Sequence, residues 1–301
     1  MVQRIHAVIF TDTKHDSDMT ILVTGGAGRL GYWTASQLTE AGHSVKAFDL
    51  PHVNWSHVES LPNTTIHRGD ITDPENVEKA CRDAEAVVHL AAVLPPVSEV
   101  NRELTQRVNV QGTLNILEAA PPETPIVFAS SISTYGVTHH ETPPIKETHP
   151  QLAHNNYSES KIMAENAVKM SGHPYAVLRL APISVADLLE LPVEVAYRAD
   201  QRVEFIVVED AAQAIVRCLN EGPGDTVYNV AGGASWQMRG EEYLTRFYRA
   251  LGVEVEPNYP RSCTAVDWYD TSRSRHLGYQ RTSFNKFEER LVALGEELGL
   301  R

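Results

Sequence analysis

From Thr20 onward, short apolar, β-branched runs alternate with segments whose apolar positions recur at helical spacing. The strand-like runs are TILVT, SVKAFD, TTIHRGD, AVVHLA, PIVFAS and YAVLRLA, and the segments 29–41, 74–83, 99–120 and 155–171 read as helices between and after them. This rhythm predicts βαβ units on a parallel sheet. AEAVVHLAA and TPIVFAS are nearly continuous apolar runs, as strands buried on both faces should be. Beyond Arg179 the pattern loosens. FIVV reads as a strand leading into a helix near 210–220, TVYNVAG as a strand, and 240–251 and 284–298 as helices. The predicted class is α/β, a doubly wound parallel sheet with a smaller C-terminal lobe interleaved with the last sheet elements.

Composition narrows the class of partner. At 301 residues the chain is long enough to bury one large core, or a core plus a lobe, without metals or disulfides. Its 42% hydrophobic and 22% charged content is ordinary for a soluble protein, and no apolar run reaches the length of a membrane span. A net charge of −13 repels a phosphate backbone, so neither nucleic acid nor membrane is expected as a partner. Cys81, Cys218 and Cys263 are few and far apart, which fits a reducing, cytoplasmic setting better than a disulfide framework. Val2 to Phe10 is too short for a secretory core and runs into the polar TDTKHDSD. Residues 1–19 are therefore read as a poorly ordered N-terminal extension.

The first chemical signal is ILVTGGAGRLG, a strand and a glycine turn that open onto a helix closed by Gly42. A helix N-terminus presents free N–H groups and partial positive charge, which suit an anion such as pyrophosphate. Glycines allow the tight turn, the approach of the anion to bare backbone and close helix–strand packing. Two registers fit: Gly26-x-Gly28-x-x-Gly31, and the wider Gly25-x-x-Gly28-x-x-Gly31 behind Thr24. Asp49 ends the second strand where an acid should meet the adenosine ribose hydroxyls and repel a 2′-phosphate, which favours NAD over NADP.

The second signal is YSESK, Tyr157 to Lys161. Residues four apart share a helix face, so a phenol and an ammonium can serve one site. A phenol with a pKa near 10 needs a nearby positive charge to exchange protons at neutral pH; lowering it by two units takes about 3 kcal/mol. Upstream, FASSISTYG puts Ser130, Ser131 and Ser133 at the carboxyl edge of the sheet, where open α/β folds bind ligands.

Together these stretches resemble the extended short-chain dehydrogenase/reductases, the NAD-dependent epimerase/dehydratase family. The likeness runs in order through TGGAGRLG, Asp49, GDITD, HLAA, VNVQGTLNILEAA, SSISTYG, YSESK, VLRLAP and FIVVEDAAQAI. The resemblance implies a Rossmann-type NAD-binding domain over 20–180 and a small substrate lobe over 181–301. It implies that Gly25, Gly28 and Gly31, with Arg29 and Leu30, hold the cofactor's phosphates. Asp70 and Ile71 would line its adenine end, and Leu90, Ala91 and Ala92 its middle. Asn109 would brace the site from the helix after the fourth strand. Ser131 would bind the substrate oxygen, Tyr157 would be the general acid/base, and Lys161 would hold the nicotinamide ribose and tune Tyr157. The implied activity is NAD-dependent hydride transfer at a secondary alcohol or ketone of a sugar-like small molecule. The alternatives are an NAD-retaining nucleotide-sugar epimerase and a non-enzymatic NAD sensor, against which the Ser131, Tyr157 and Lys161 set argues. Relatives pair through helices 99–120 and 155–171, which implies a homodimer.

One stretch departs from the family pattern. LRLAPISVADLLELP reaches VEFIVVEDAA quickly and has no Asn after Arg179 where nucleotide-sugar epimerases carry one, which leaves a smaller sugar, a sugar acid or another secondary alcohol open. The chain has 13 histidines, but no pair has helical ligand spacing beside a carboxylate, and no metal is expected. Arg202 is read either as a contact for an anionic substrate group or as a partner of Glu204 or Glu209. The aromatics of DWYDTSRSRHLGY are read as core packing.

Overall fold

The computed structural model describes residues 18–186 and 195–301. The expected extension over 1–19 therefore lies, apart from Asp18 and Met19, outside the described residues. The apolar runs form β1 (Thr20–Thr24), β2 (Ser44–Asp49), β3 (Thr64–Arg68), β4 (Ala86–His89), β5 (Ile126–Ser131), β6 (Tyr175–Leu180) and β7 (Thr226–Val230). They make a seven-stranded, all-parallel sheet in the order β7-β6-β5-β4-β1-β2-β3. Consecutive strands move outward from β1 in one direction and from β4 in the other, so the carboxyl ends of β1 and β4 flank the switch in winding, where such sheets open a crevice. Ile21, Leu22 and Val23 of β1 and Val87 and Val88 of β4 are fully buried, as strands covered on both faces must be.

The covering helices are α1 (Arg29–Glu40), α2 (Pro74–Cys81), α3 (Gly112–Ala119), α4 (Asn156–Met170) and α5 (Val208–Asn220). Their caps follow from sequence: Asp73 accepts the amide of Glu75 before Pro74 opens α2, and Asn155 and Ser158 form a reciprocal capping box at α4. The predicted helix over 99–120 is broken. Asn101, with a non-helical backbone, ends a turn at Val97–Val100 and caps a new one at Arg102–Thr105 with its side chain on the amide of Leu104. A π-helical stretch at Gln106–Gln111 follows before α3 resumes regular geometry. That widened turn contains Asn109, whose amide side chain bonds both backbone groups of Val93.

A second core lies under the C-terminal helices α6 (Gly240–Leu251) and α7 (Phe284–Glu297), built on Trp236, Tyr243, Phe247, Phe284, Phe287 and Leu291. Two-residue strands join this region to the rest: Arg202–Val203 pairs with Met238–Arg239, and Ile206–Val207 pairs with Ile183–Ser184. The predicted FIVV strand is thus a short connector, while TVYNV is the seventh strand of the main sheet. Tyr269 packs in the main core, as expected for the aromatics of that segment.

A buried ion pair fastens α4 to the sheet. Glu165, on α4, accepts from Nε and Nη2 of Arg179 on β6 at 3.0 and 2.9 Å, and from Ser130, Gln151 and Lys169. Both members of the pair are buried. Burial alone would push the Glu165 carboxyl up, but Arg179, Lys169 and Ser130 hold it below its usual value. Its contribution to stability is therefore present above the ordinary glutamate range and is lost as pH falls below it. Glu165→Ala leaves the Arg179 guanidinium buried without its counter-charge and is expected to destabilise the fold by about 3 to 5 kcal/mol; a urea midpoint unchanged from wild type would contradict this.

Candidate functional site

A cleft of about 960 Å³ opens along the carboxyl edge of the sheet. At one end it meets the start of α1. Gly25 takes φ +68°, a left-handed turn that favours glycine, and a Cβ at Gly31 would stand 2.1 Å from the Gly25 carbonyl. The helix therefore starts in direct contact with the turn. Gly28 is its N-cap without a side-chain bond, and no acid sits in the first turn, so the positive end of α1 suits an anion. Gly25, Gly28, Arg29, Leu30 and Gly31 line the cleft. Gly26 packs on Ala47 of β2 instead, so the wider of the two glycine registers is the one that faces the cleft.

Asp49 lines the same end from the tip of β2. Its carboxylate accepts the amides of Ala27 at 3.1 Å and Leu50 at 2.8 Å, which fixes its direction. Burial raises its pKa against the pull of those amides. Asp70, Ile71, Leu90, Ala91 and Ala92 continue the wall. A helix start without a cap, a fixed carboxylate one strand away and a small-residue wall fit a dinucleotide's phosphates, ribose and adenine.

At the middle of the cleft stand Ser131, Tyr157 and Lys161. Two backbone amides at the start of α4, those of Asn156 and Tyr157, are taken by the Glu99 carboxylate at 3.0 and 3.1 Å, which seats the tyrosine at the helix tip. Lys161 lies one turn further, 3% exposed, and its Nζ donates to the carbonyl of Ala129 at 2.8 Å. The ammonium sits 4.8 Å from the Phe128 ring centre and 5.9 Å from that of Tyr157. Burial pushes Lys161 down to about 8, with Glu165 opposing. Burial pushes the Tyr157 phenol up to about 12, opposed by its hydrogen bond with Ser131. The apoprotein thus holds Tyr157 as a proton donor, and further positive charge is needed to make it a base.

Asn109 is the one residue of the expected set that does not line the cleft. It stands behind the wall, 2% exposed, and besides Val93 it donates to Ser160 Oγ at 2.9 Å. Ser160 in turn donates to the carbonyl of Tyr157. Asn109 ties the loop after β4 to α4. Arg202 meets neither expectation. Its guanidinium pairs with Asp267 and reaches the carbonyls of Thr138, His139 and Glu141. Asp267 is fully buried and distant in sequence, so local spacing could not reveal it.

The segment 21–184 matches the model of the NAD dependent epimerase/dehydratase family, more than half of the chain. The chain belongs to this family. Among its relatives, the UDP-glucose 4-epimerase of Streptococcus mutans is 33% identical over 165 residues, 53% of this chain and 49% of that protein. The UDP-glucose 4-epimerase of Bacillus subtilis is 34% identical over 164 residues, 50% of this chain and 47% of that one. The chain thus spans about half the length of these relatives in the matched region. Among solved structures, a UDP-glucose 4-epimerase of Thermotoga maritima with UDP-glucose shares the fold at a TM-score of 0.78 and 20% identity, covering 93% of this chain and 99% of that one. A Bordetella bronchiseptica enzyme in complex with NAD and UDP does so at 0.79 and 23%, covering 95% and 97%. The family's cofactor is NAD, and the cleft's first end suits it.

Sequence reasoning missed His89, at the tip of β4. It is buried between Thr24 Oγ1 at 2.7 Å and Thr113 Oγ1 at 2.9 Å. Thr24 Oγ1 already accepts the amides of Leu90 and Ala91, so its own proton must go to His89 Nδ1. The imidazole then carries its proton on Nε2 and donates to Thr113, which donates to the carbonyl of Asn109 at 2.7 Å. Burial, aided by the charge of Lys161, pushes His89 down to about 3 and keeps it neutral. The chain of directed bonds runs from the glycine turn to α4. His89→Phe keeps the bulk but leaves the Thr24 hydroxyl proton without its acceptor and Thr113 without its donor, an expected loss of about 1 to 3 kcal/mol read from urea unfolding; an unchanged midpoint would remove the imidazole from this role. For the cofactor end, Asp49→Ala is expected to raise affinity for NADP relative to NAD, measured by fluorescence titration, and an unchanged ratio would take Asp49 away from the ribose.

Proposed function

We propose that this protein is an NAD-dependent oxidoreductase that moves a hydride at a secondary alcohol or ketone, with Tyr157 as the catalytic acid/base. The observation that carries this reading is the meeting of Ser131, Tyr157 and Lys161 on one wall of a cleft whose other end is the bare start of α1. The bound cofactor supplies the hydride acceptor or donor and, when oxidised, a positive charge beside the phenol. Ser131 and Tyr157 hydrogen-bond the substrate oxygen and stabilise charge as it develops there. In oxidation the hydroxyl proton passes to the Tyr157 oxygen as the hydride leaves the carbinol carbon; in reduction the phenol returns it. Lys161 lowers the cost of the phenolate while its tether to Ala129 fixes its place.

The relatives support a second reading. A cofactor that stays bound and returns its hydride to the opposite face would make the protein an epimerase, and the UDP-glucose 4-epimerase relatives match over the segment that builds this cleft. The sensor reading lacks such support, because it gives the serine, tyrosine and lysine no task. The proposal also includes a homodimer, for which the exposed apolar side chains Leu114 on α3 and Met163 on α4 would supply contacts. Tyr157→Phe is expected to keep NAD affinity within about threefold while removing turnover, followed both as NADH absorbance and as interconversion of substrate and product. Undiminished turnover would refute the acid/base role, and interconversion without net NADH would select the epimerase reading.

A further inference from the structure

The cleft changes chemistry along its length. The segment after β4 contributes Leu94 and Pro95, the segment after β6 contributes Ile183 and Val185, and the C-terminal region contributes Ala196 and Val266. Leu94 and Ile183 are 56% and 36% exposed, so apolar surface reaches the mouth. Among the described residues, the cations lining the cleft are Arg29, at the start of α1, and Lys161, held by Ala129. Arg202 is committed to Asp267, and Arg198 to Asp200. Burial lowers the His154 imidazole, which also lines the cleft, and so disfavours its charged form. A diphosphate entering beside these walls would lose its hydration without gaining counter-charges. The hydroxyl of Ser131 faces the Tyr157 phenol on the cleft wall.

Resting on the hydride-transfer reading above, we propose that the substrate is a phosphate-free secondary alcohol or ketone with an apolar body. Its reacting oxygen meets Ser131 and Tyr157, and the body lies on Leu94, Pro95, Ile183 and Val185. Among the described residues, the cleft offers a nucleotide diphosphate no cation beyond Arg29 at the cofactor end and the tethered Lys161.

The test is calorimetry on the full chain. NAD binding is measured first; its absence would overturn the hydride-transfer reading, and this inference with it. The NAD-loaded protein is then titrated with cyclohexanol, menthol, UDP and UDP-glucose. Menthol is expected to bind at least about tenfold more tightly than UDP or UDP-glucose. Ile183→Lys, at a partly exposed position, should weaken menthol, strengthen UDP and leave NAD affinity as it was, with thermal unfolding confirming that the variant folds. Tighter binding of UDP or UDP-glucose than of both alcohols, or no binding of either alcohol, would overturn the substrate class while leaving the hydride-transfer reading in place.

Discussion

The hydrogen bond from Lys161 Nζ to the Ala129 carbonyl is the contact on which the rest of the site depends. It ties α4 to β5 at the carboxyl edge of the sheet and holds an ammonium beside a phenol in a place where neither is easily solvated. A buried charge of this kind persists only when the surrounding structure holds it, and three devices do so here. Glu99 takes the amides at the tip of α4, the Glu165 and Arg179 pair fastens its middle, and Asn109 with Ser160 holds the backbone at Tyr157. Each acts on the same helix from a different neighbour. The phenol's position is thereby fixed before any ligand arrives, which is what proton transfer at a defined atom requires.

The cofactor end is built by the opposite strategy. There the chain withholds side chains: glycine at the turn, no cap on α1, alanines along β4's exit. The two ends are joined by the proton-ordered run from Thr24 through His89 and Thr113 to Asn109. A neutral imidazole suits this position because it donates on one side and accepts on the other, and burial keeps it neutral. The glycine turn and α4 are thus parts of one hydrogen-bonded frame.

How much of this was legible in the chain depends on the range of the interaction. The parallel sheet, including the seventh strand at TVYNV, could be read because buried strands announce themselves as apolar runs. Tyr157 and Lys161 could be read because four-residue spacing on a helix is local geometry. Asp49 could be read because strand ends have a fixed relation to the glycine turn. The break in 99–120 was hidden because its apolar spacing is helical throughout, while the cause is tertiary: Asn109 reaches Val93 through a π-turn, and Asn101 spends its side chain as a cap. His89 was hidden inside an apolar strand, and the partner of Arg202 lay 65 residues away. The choice between glycine registers needed the packing of Gly26 on Ala47, which no pattern in the chain encodes.

The central claim is that Lys161, with the charge of oxidised NAD, governs the ionisation of Tyr157. It is tested most directly by ultraviolet difference titration of the phenol, wild type against Tyr157→Phe, with and without saturating NAD and in a Lys161→Met background. The account predicts that Tyr157 ionises at lower pH when NAD is bound and at higher pH when the lysine is gone. A phenol whose titration moves with neither would contradict it.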